Sequence, residues 1–281
     1  MFQNQRSAQA LFLKSLASVT LMLLIGASTI QSAHAQENAP EQNVRKPLDG
    51  QIQHDEKLPG LSADYQVGNR IDPTQLTALT PDNLWFPIPS WLAGKWHSES
   101  MTVTNVTNCL TGRSAKVHIE RKEVADVVHG FQKDKSGQIW EFLQIPRVQK
   151  VNVDNGQCYL TCSREDVLRT DGTAVLLKIL NSQITVDNDH KVLATEQVQQ
   201  ISNFLPLEDG LVRMEASLKN YNADGDPQQV QKAEKVIQRI APFESVDSKD
   251  GLNLKQLFVE FLKKTGKDDL VPVSDQVKPQ A

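Results

Sequence analysis

Val212-Arg-Met-Glu-Ala-Ser-Leu-Lys219 decides the fold. Val212, Met214, Ala216 and Leu218 alternate with Arg213, Glu215, Ser217 and Lys219. A period of two gives one buried and one wet face only in an extended strand. Working outward, turn signals recur at Thr111-Gly112, Ser136-Gly137, Asn155-Gly156, Asp171-Gly172, Asn188-Asp189, Asp209-Gly210 and Asp224-Gly225, so that seven turns separate eight strands. Two of the segments, Ile139 to Val153 and Thr173 to Val186, are apolar on both faces, as expected where something packs outside the sheet. The long spacing between turns fits long antiparallel strands joined by tight hairpins better than the short strands of a sandwich. The expected fold is mainly β: an eight-stranded antiparallel up-and-down barrel.

Beyond the last strand, Leu254, Leu257, Phe258, Phe261 and Leu262 fall on one helical stripe opposite Lys255, Glu260, Lys263 and Lys264. This predicts one C-terminal amphipathic helix lying on the outside of the barrel, with Asp250 capping its start and Gly266 at its end.

The chain has 281 residues and a formal net charge of −4, the wrong sign for a nucleic-acid partner. Residues 1–35 read as a removable export signal. Arg6 and Lys14 precede the apolar heart Val19 to Ile25, and Ala33-His34-Ala35 supplies an A-x-A site with cleavage after Ala35. The apolar run is too short to span a bilayer comfortably. No cysteine near the cut invites a lipid anchor, so the expected product is periplasmic or secreted, without stable membrane insertion. Residues 36–84 form a polar, proline-punctuated arm, largely disordered or loosely docked, with Leu58, Leu61, Tyr65, Ile71, Leu76 and Leu79 available to pin it to a surface. Residues 85–266 hold the barrel and its helix, and 267–281 form a polar, disordered tail.

Gly94-Lys95-Trp96 at the opening of the first strand, with Arg239 near the end of the eighth, resembles the lipocalin-like (calycin) superfamily. The chain has no T-D-Y second motif, and Leu92 stands where that superfamily places an aromatic residue before the glycine. The resemblance implies a barrel closed between first and last strands, with the Arg239 guanidinium over the Trp96 indole contributing about 0.5 to 2 kcal/mol. The terminal helix is similar to the one that follows the last lipocalin strand.

Cys109, Cys158 and Cys162 are an odd number for an oxidising compartment. Cys158 and Cys162 are about 13 Å apart at strand rise, too far to bridge each other. In a consecutively paired barrel, the hairpin bearing Cys109 lies about 10 Å from the one preceding Cys158. A Cys109–Cys158 disulfide is therefore expected ahead of Cys109–Cys162.

Chemical signatures are sparse. His118-x-Glu120 lacks the C-x-x-C partner of a zinc deaminase, and Asn222, Asp224 and Asp226 are followed by Pro227 where a calcium loop needs glycine. No catalytic residue, metal site or cofactor is expected, and the protein reads as non-enzymatic. Asp154, Asp187, Asp189, Asp224 and Asp226 would share one rim, where they can serve as turn formers or steer a cation. Leu177, Ile179, Val212, Met214, Ala216 and Leu218 would line the lumen, which is either a modest apolar pocket or a packed core. Two functions follow. One is a carrier or sensor holding a small hydrophobic molecule in the barrel. The other is an envelope interaction protein with a solid barrel, whose N-terminal arm, rooted at Trp85-Phe86-Pro87-Ile88-Pro89, docks an envelope protein.

Overall fold

The structure is a computed structural model and describes residues 53–272. The export signal, residues 36–52 and the tail from 273 lie outside the described residues. In chain order the elements are α1 (Pro73–Thr77), β1 (Asp82–Ile88), β2 (Gly94–Asn108), β3 (Ser114–His129), β4 (Gln132–Lys133), β5 (Ile139–Ile145), β6 (Arg147–Val153) and β7 (Gly156–Thr170). They continue with β8 (Val175–Asp187), β9 (Val192–Pro206), β10 (Leu211–Tyr221), β11 (Pro227–Ala241), β12 (Ser248–Lys249), β13 (Leu252–Asn253) and α2 (Leu254–Lys264).

Eight long strands pair antiparallel in the order β3-β2-β11-β10-β9-β8-β7-β6 and curl into a half-barrel. The hairpins form where short polar side chains can accept their own turn's N–H groups. Asp187 takes those of Asp189 and Lys191, and Asn222 those of Asp224 and Asp226, so Asn222 and Asp226 build a turn here. First and last strands meet as expected, with Trp96 paired to Arg239. The sheet nevertheless stays open, because β3 and β6 are its two edges rather than neighbours.

Two local breaks keep it open. Past β3 the chain turns at Gly130, whose φ is +83°; a Cβ there would meet Ile139 Cγ2 at 2.6 Å. The doubly apolar segment expected as one strand is cut at Pro146, which has no N–H for a ladder, into β5 and β6. The ends released by these breaks, β4 and β5, join β1 in a separate sheet of order β1-β5-β4, so the Ser136-Gly137 turn joins β4 to β5 and not two barrel strands. One face of this small sheet sends Leu143 and Ile145 into the apolar cluster of the half-barrel. The other carries Trp85, Phe131, Trp140 and Phe142 against Leu254, Phe258 and Leu262 of α2. Helix α2 thus covers β5, and its N-cap is Asn253, whose side chain accepts the Gln256 N–H at 3.0 Å. Asp250 lies earlier, between β12 and β13, at φ +51°.

The convex face has its own cover. Residues 53–79 run across it as a strap. Asp55 is bonded to Lys178 Nζ at 2.8 Å and to Gln199 Nε2 at 2.7 Å, while its carbonyl accepts from Lys219 and Tyr221. His54 Nε2 lies 2.8 Å from Ser217 Oγ. Farther along, Ile71 and Leu76 pack with Tyr159, Ile184 and Val186.

The strand order also corrects the disulfide. Cys109 stands just past β2 and Cys158 in β7, which lie five strand spacings, or about 24 Å, apart along the sheet. All three cysteines are free, with Cys158 and Cys162 buried. The expected bridge assumed consecutive pairing of β3 with the following segment, and that pairing is the one the fold omits.

Candidate functional site

The six residues expected to line a lumen, Leu177, Ile179, Val212, Met214, Ala216 and Leu218, all lie buried on the concave face in one cluster. Leu92, Trp96 and Phe204 belong to it, as do Leu143 and Ile145 from β5, so part of the concavity is filled by the small sheet. At this end the Arg239 guanidinium sits 4.8 Å from the centre of the Trp96 ring and donates to the Trp91 carbonyl. A shallow depression of about 450 Å³ beside the pair is lined by residues including Trp91, Glu208, Asp209 and Val212.

Buried charges fasten the small sheet to the wall. Arg147 at the start of β6 bonds Glu165 of β7 at 3.0 Å, and Glu141 of β5 accepts the Gly130 N–H at 2.6 Å. His129 Nδ1 lies 3.7 Å from the same Glu141 oxygen. Burial pushes the Glu165 carboxyl up from its ordinary value, with Arg147 pulling it back. These groups sit at the two chain breaks, where they join β3, β5, β6 and β7. A second buried pair, Lys235 with Glu123 at 3.0 Å, ties β11 to β3.

Toward the opposite rim the concave wall changes character. Ile179, Gln200, Leu218 and Gln231 stand side by side across β8, β9, β10 and β11. One row farther out come Asn181, Val198, Asn220 and Gln229, and beyond them Gln183 is paired with Glu196. The apolar wall therefore runs directly into an amide-lined one. The amides are directional: Asn220 Nδ2 donates to Glu196 at 3.2 Å, Gln231 Nε2 to Gln229 at 2.7 Å, and Gln200 Nε2 to Ser202 at 2.7 Å. Their donors are engaged, but Asn181 Oδ1, Asn220 Oδ1 and Gln231 Oε1 are buried and accept nothing. Asn220 is 7% exposed and Gln231 4%, whereas Asn181, Gln183, Val198 and Glu196 are part-exposed, so the wall is reached from solvent on its outer side.

Burial raises the Glu196 carboxyl above its usual range, and the Asn220 hydrogen bond opposes that rise. Cys158 lies near enough for Glu196 to add to the upward push of burial on its thiol, which Thr185 partly offsets. A buried acceptor without a donor costs about 1 to 3 kcal/mol, so three in one patch mark a place where a donor is supplied from outside the chain.

None of Asn181, Glu196, Asn220 or Gln231 was singled out by the sequence pattern. The available signal was the amide-rich runs Glu196-Gln-Val-Gln-Gln200 and Gln228-Gln-Val-Gln231, too polar on both faces for strands with a buried side. Among the described residues, no group of three or more His, Cys, Asp and Glu is arranged to hold a metal. His118 lies exposed on edge strand β3. Comparison with known proteins gives no match: no family model, no curated protein and no solved structure matches the chain.

Proposed function

We propose that this is a non-enzymatic, exported binding protein that takes a small, mainly hydrophobic molecule against the concave face of its half-barrel, as lipocalin-like proteins do inside theirs. The body of the ligand lies along part-exposed Val198 at the outer end of the apolar cluster, next to buried Ile179 and Leu218, while its polar end reaches the amide wall. The observation carrying this reading is the direct continuity between the apolar cluster and the unpartnered oxygens of Asn181, Asn220 and Gln231. A ligand with an apolar body and a donor end matches both halves at once. The cleavage signal ending at Ala35 supports a periplasmic or secreted setting.

The test is native mass spectrometry of the protein purified from its own host, followed by titration with an environment-sensitive aliphatic fluorophore. The expected result is a retained small molecule that organic solvent strips away, after which one equivalent of fluorophore binds. A Val198→Arg change, which sets a charge at the accessible end of the apolar wall, abolishes that binding while thermal melting shows the fold intact. A protein that carries nothing and leaves the fluorophore dark contradicts the proposal.

A second reading, a solid envelope interaction protein, has one observation in its favour. Among the described residues, the outer edge of β3 is unpaired along a 16-residue strand, with Ile119 and Val124 exposed on it. Its original docking element is less available: Trp85 and Ile88 are buried in β1, and residues 53–79 are engaged on the convex face. Crosslinking in the host, read at β3, would favour it if the fluorophore stays dark.

A further inference from the structure

We infer that the polar end of the ligand is a cationic hydrogen-bond donor, an alkylammonium on an apolar body, held by Glu196, Asn220 and Gln231. This rests on the reading of the concave face as a binding surface and goes beyond it by naming the head group. Every fully buried idle polar atom in the patch is an acceptor. The amides cannot simply flip to present nitrogen, because Asn220 Nδ2 is held by Glu196 and Gln231 Nε2 by Gln229. At Asn220, Gln231 and Glu196 a carboxylate or phosphate head would therefore face amide oxygens and a carboxylate, which repel it. A hydroxyl brings one donor. An ammonium brings three, with a charge opposite in sign to Glu196.

The surroundings agree. Among the described residues, Asn220 is the side chain that acts on the Glu196 carboxyl, and it is not a cation. Lys219, the lysine preceding Asn220, bonds the strap on the convex side. The hairpins at this rim carry exposed Asp154, Asp189 and Asp224, against Arg113 and Lys191 of opposite sign. Asp226 is already neutralised by Lys57 at 2.6 Å.

The experiment uses the mature protein and three probes with the same chain, dodecylammonium, dodecanol and dodecanoate, each below its micelle concentration, in competition with the aliphatic fluorophore. Dodecylammonium is expected to bind about tenfold tighter than dodecanol, the size of one charge-assisted hydrogen bond, and dodecanoate the weakest of the three. The near-isosteric Glu196→Gln variant, with thermal melting as the check on folding, should erase the preference, so that dodecylammonium binds no tighter than dodecanol. Equal affinities for all three, a preference for dodecanoate, or a preference that survives Glu196→Gln overturns the inference while the binding surface stands. If the fluorophore binds to neither wild type nor variant, both the surface and the inference fall.

Discussion

One sheet carries two covers, and they are built from opposite chemistry. On the concave side the cover is aromatic. Trp85 lies 4.8 Å from Phe142 and 4.9 Å from Phe258, and Trp140 lies 5.4 Å from Phe261. On the convex side the strap is held at its start by directional bonds. Gln199 alone accepts from the Asp55 N–H at 2.8 Å and donates back to the Asp55 carboxylate. Aromatic burial follows area and is indifferent to protonation, and beneath it burial already pushes the Glu165 carboxyl toward its neutral form, so acid takes little from that contact. A polar staple depends on each group keeping its charge state. The two covers should therefore fail under different conditions, the inner one by truncation and the outer one by acid.

The largest effect is expected at the inner cover. Phe258 is fully buried between Trp85 and Trp140, so Phe258→Ala should cost about 3 to 5 kcal/mol in urea unfolding. Hydrogen exchange on the same variant should show β1 and β5 losing protection while the strap over β9 and β10 keeps its own. A loss below about 1 kcal/mol would mean that α2 is not what holds the small sheet in place.

Acid addresses the outer cover. Burial lowers the His54 pKa to about 4; Lys219 and Lys178 add to the shift, and Gln199's hydrogen bond and the Asp55 charge oppose it. The folded value lies below the ordinary one, so the released strap binds the proton more readily. Docking is then at full strength above about pH 6.5 and weakens as pH falls toward 4, by up to about 3 kcal/mol. Asp55 acts in the same direction at lower pH. Burial pushes its carboxyl up, but the bonds from Lys178 and Gln199 outweigh this and hold it below its ordinary value, with Arg164 adding to the effect. Limited proteolysis at pH 7 and pH 4.5 should show residues 53–79 becoming cleavable in acid while β5 stays protected, and His54→Gln should flatten the difference. Equal cleavage of the wild-type strap at both pH values would break the contrast.

The sequence made one side of this arrangement far easier to read than the other. Alternation in Val212 to Lys219 places the four apolar residues inside and Ser217 and Lys219 outside, and the turn-forming Asp and Asn residues lie where the hairpins form. Trp96 and Arg239 can be matched across the chain because a guanidinium over an indole depends on residue type alone. The breaks at Gly130 and Pro146 are visible as letters, but where the freed ends go is settled by Trp85, Trp140 and Phe258, far apart in sequence. The strap is harder still: Leu58, Ile71 and Leu76 are single pegs in a polar stretch with no period to expose them. The Cys109–Cys158 expectation failed for the same reason, since the distance between two strands follows from sheet order. In the candidate site the apolar half was legible from alternation. The amide half was not, because glutamine in a strand normally marks the wet face, and register shifts at Asn220/Tyr221 and Thr185/Val186 obscure which face that is.

The smallest effect separates two glutamines of nearly equal burial on opposite faces. Gln199 is 2% exposed and Gln231 4%, so surface area alone gives them the same role. Their bonding differs. Gln199 holds both His54 and Asp55, and replacing it with leucine leaves the Asp55 N–H and carboxylate short of partners, a loss of about 2 to 3 kcal/mol. Gln231 spends one bond on Gln229 and keeps an idle oxygen beside Leu218, its cross-strand neighbour. Gln231→Leu should therefore change the stability of the ligand-free protein by less than about 1 kcal/mol, or raise it, since an unpaired acceptor leaves the interior. Urea unfolding of the two variants side by side measures the difference. If Gln231→Leu costs as much as Gln199→Leu, the concave oxygens are already satisfied by bound water, and the inner wall is as fully engaged as the outer one.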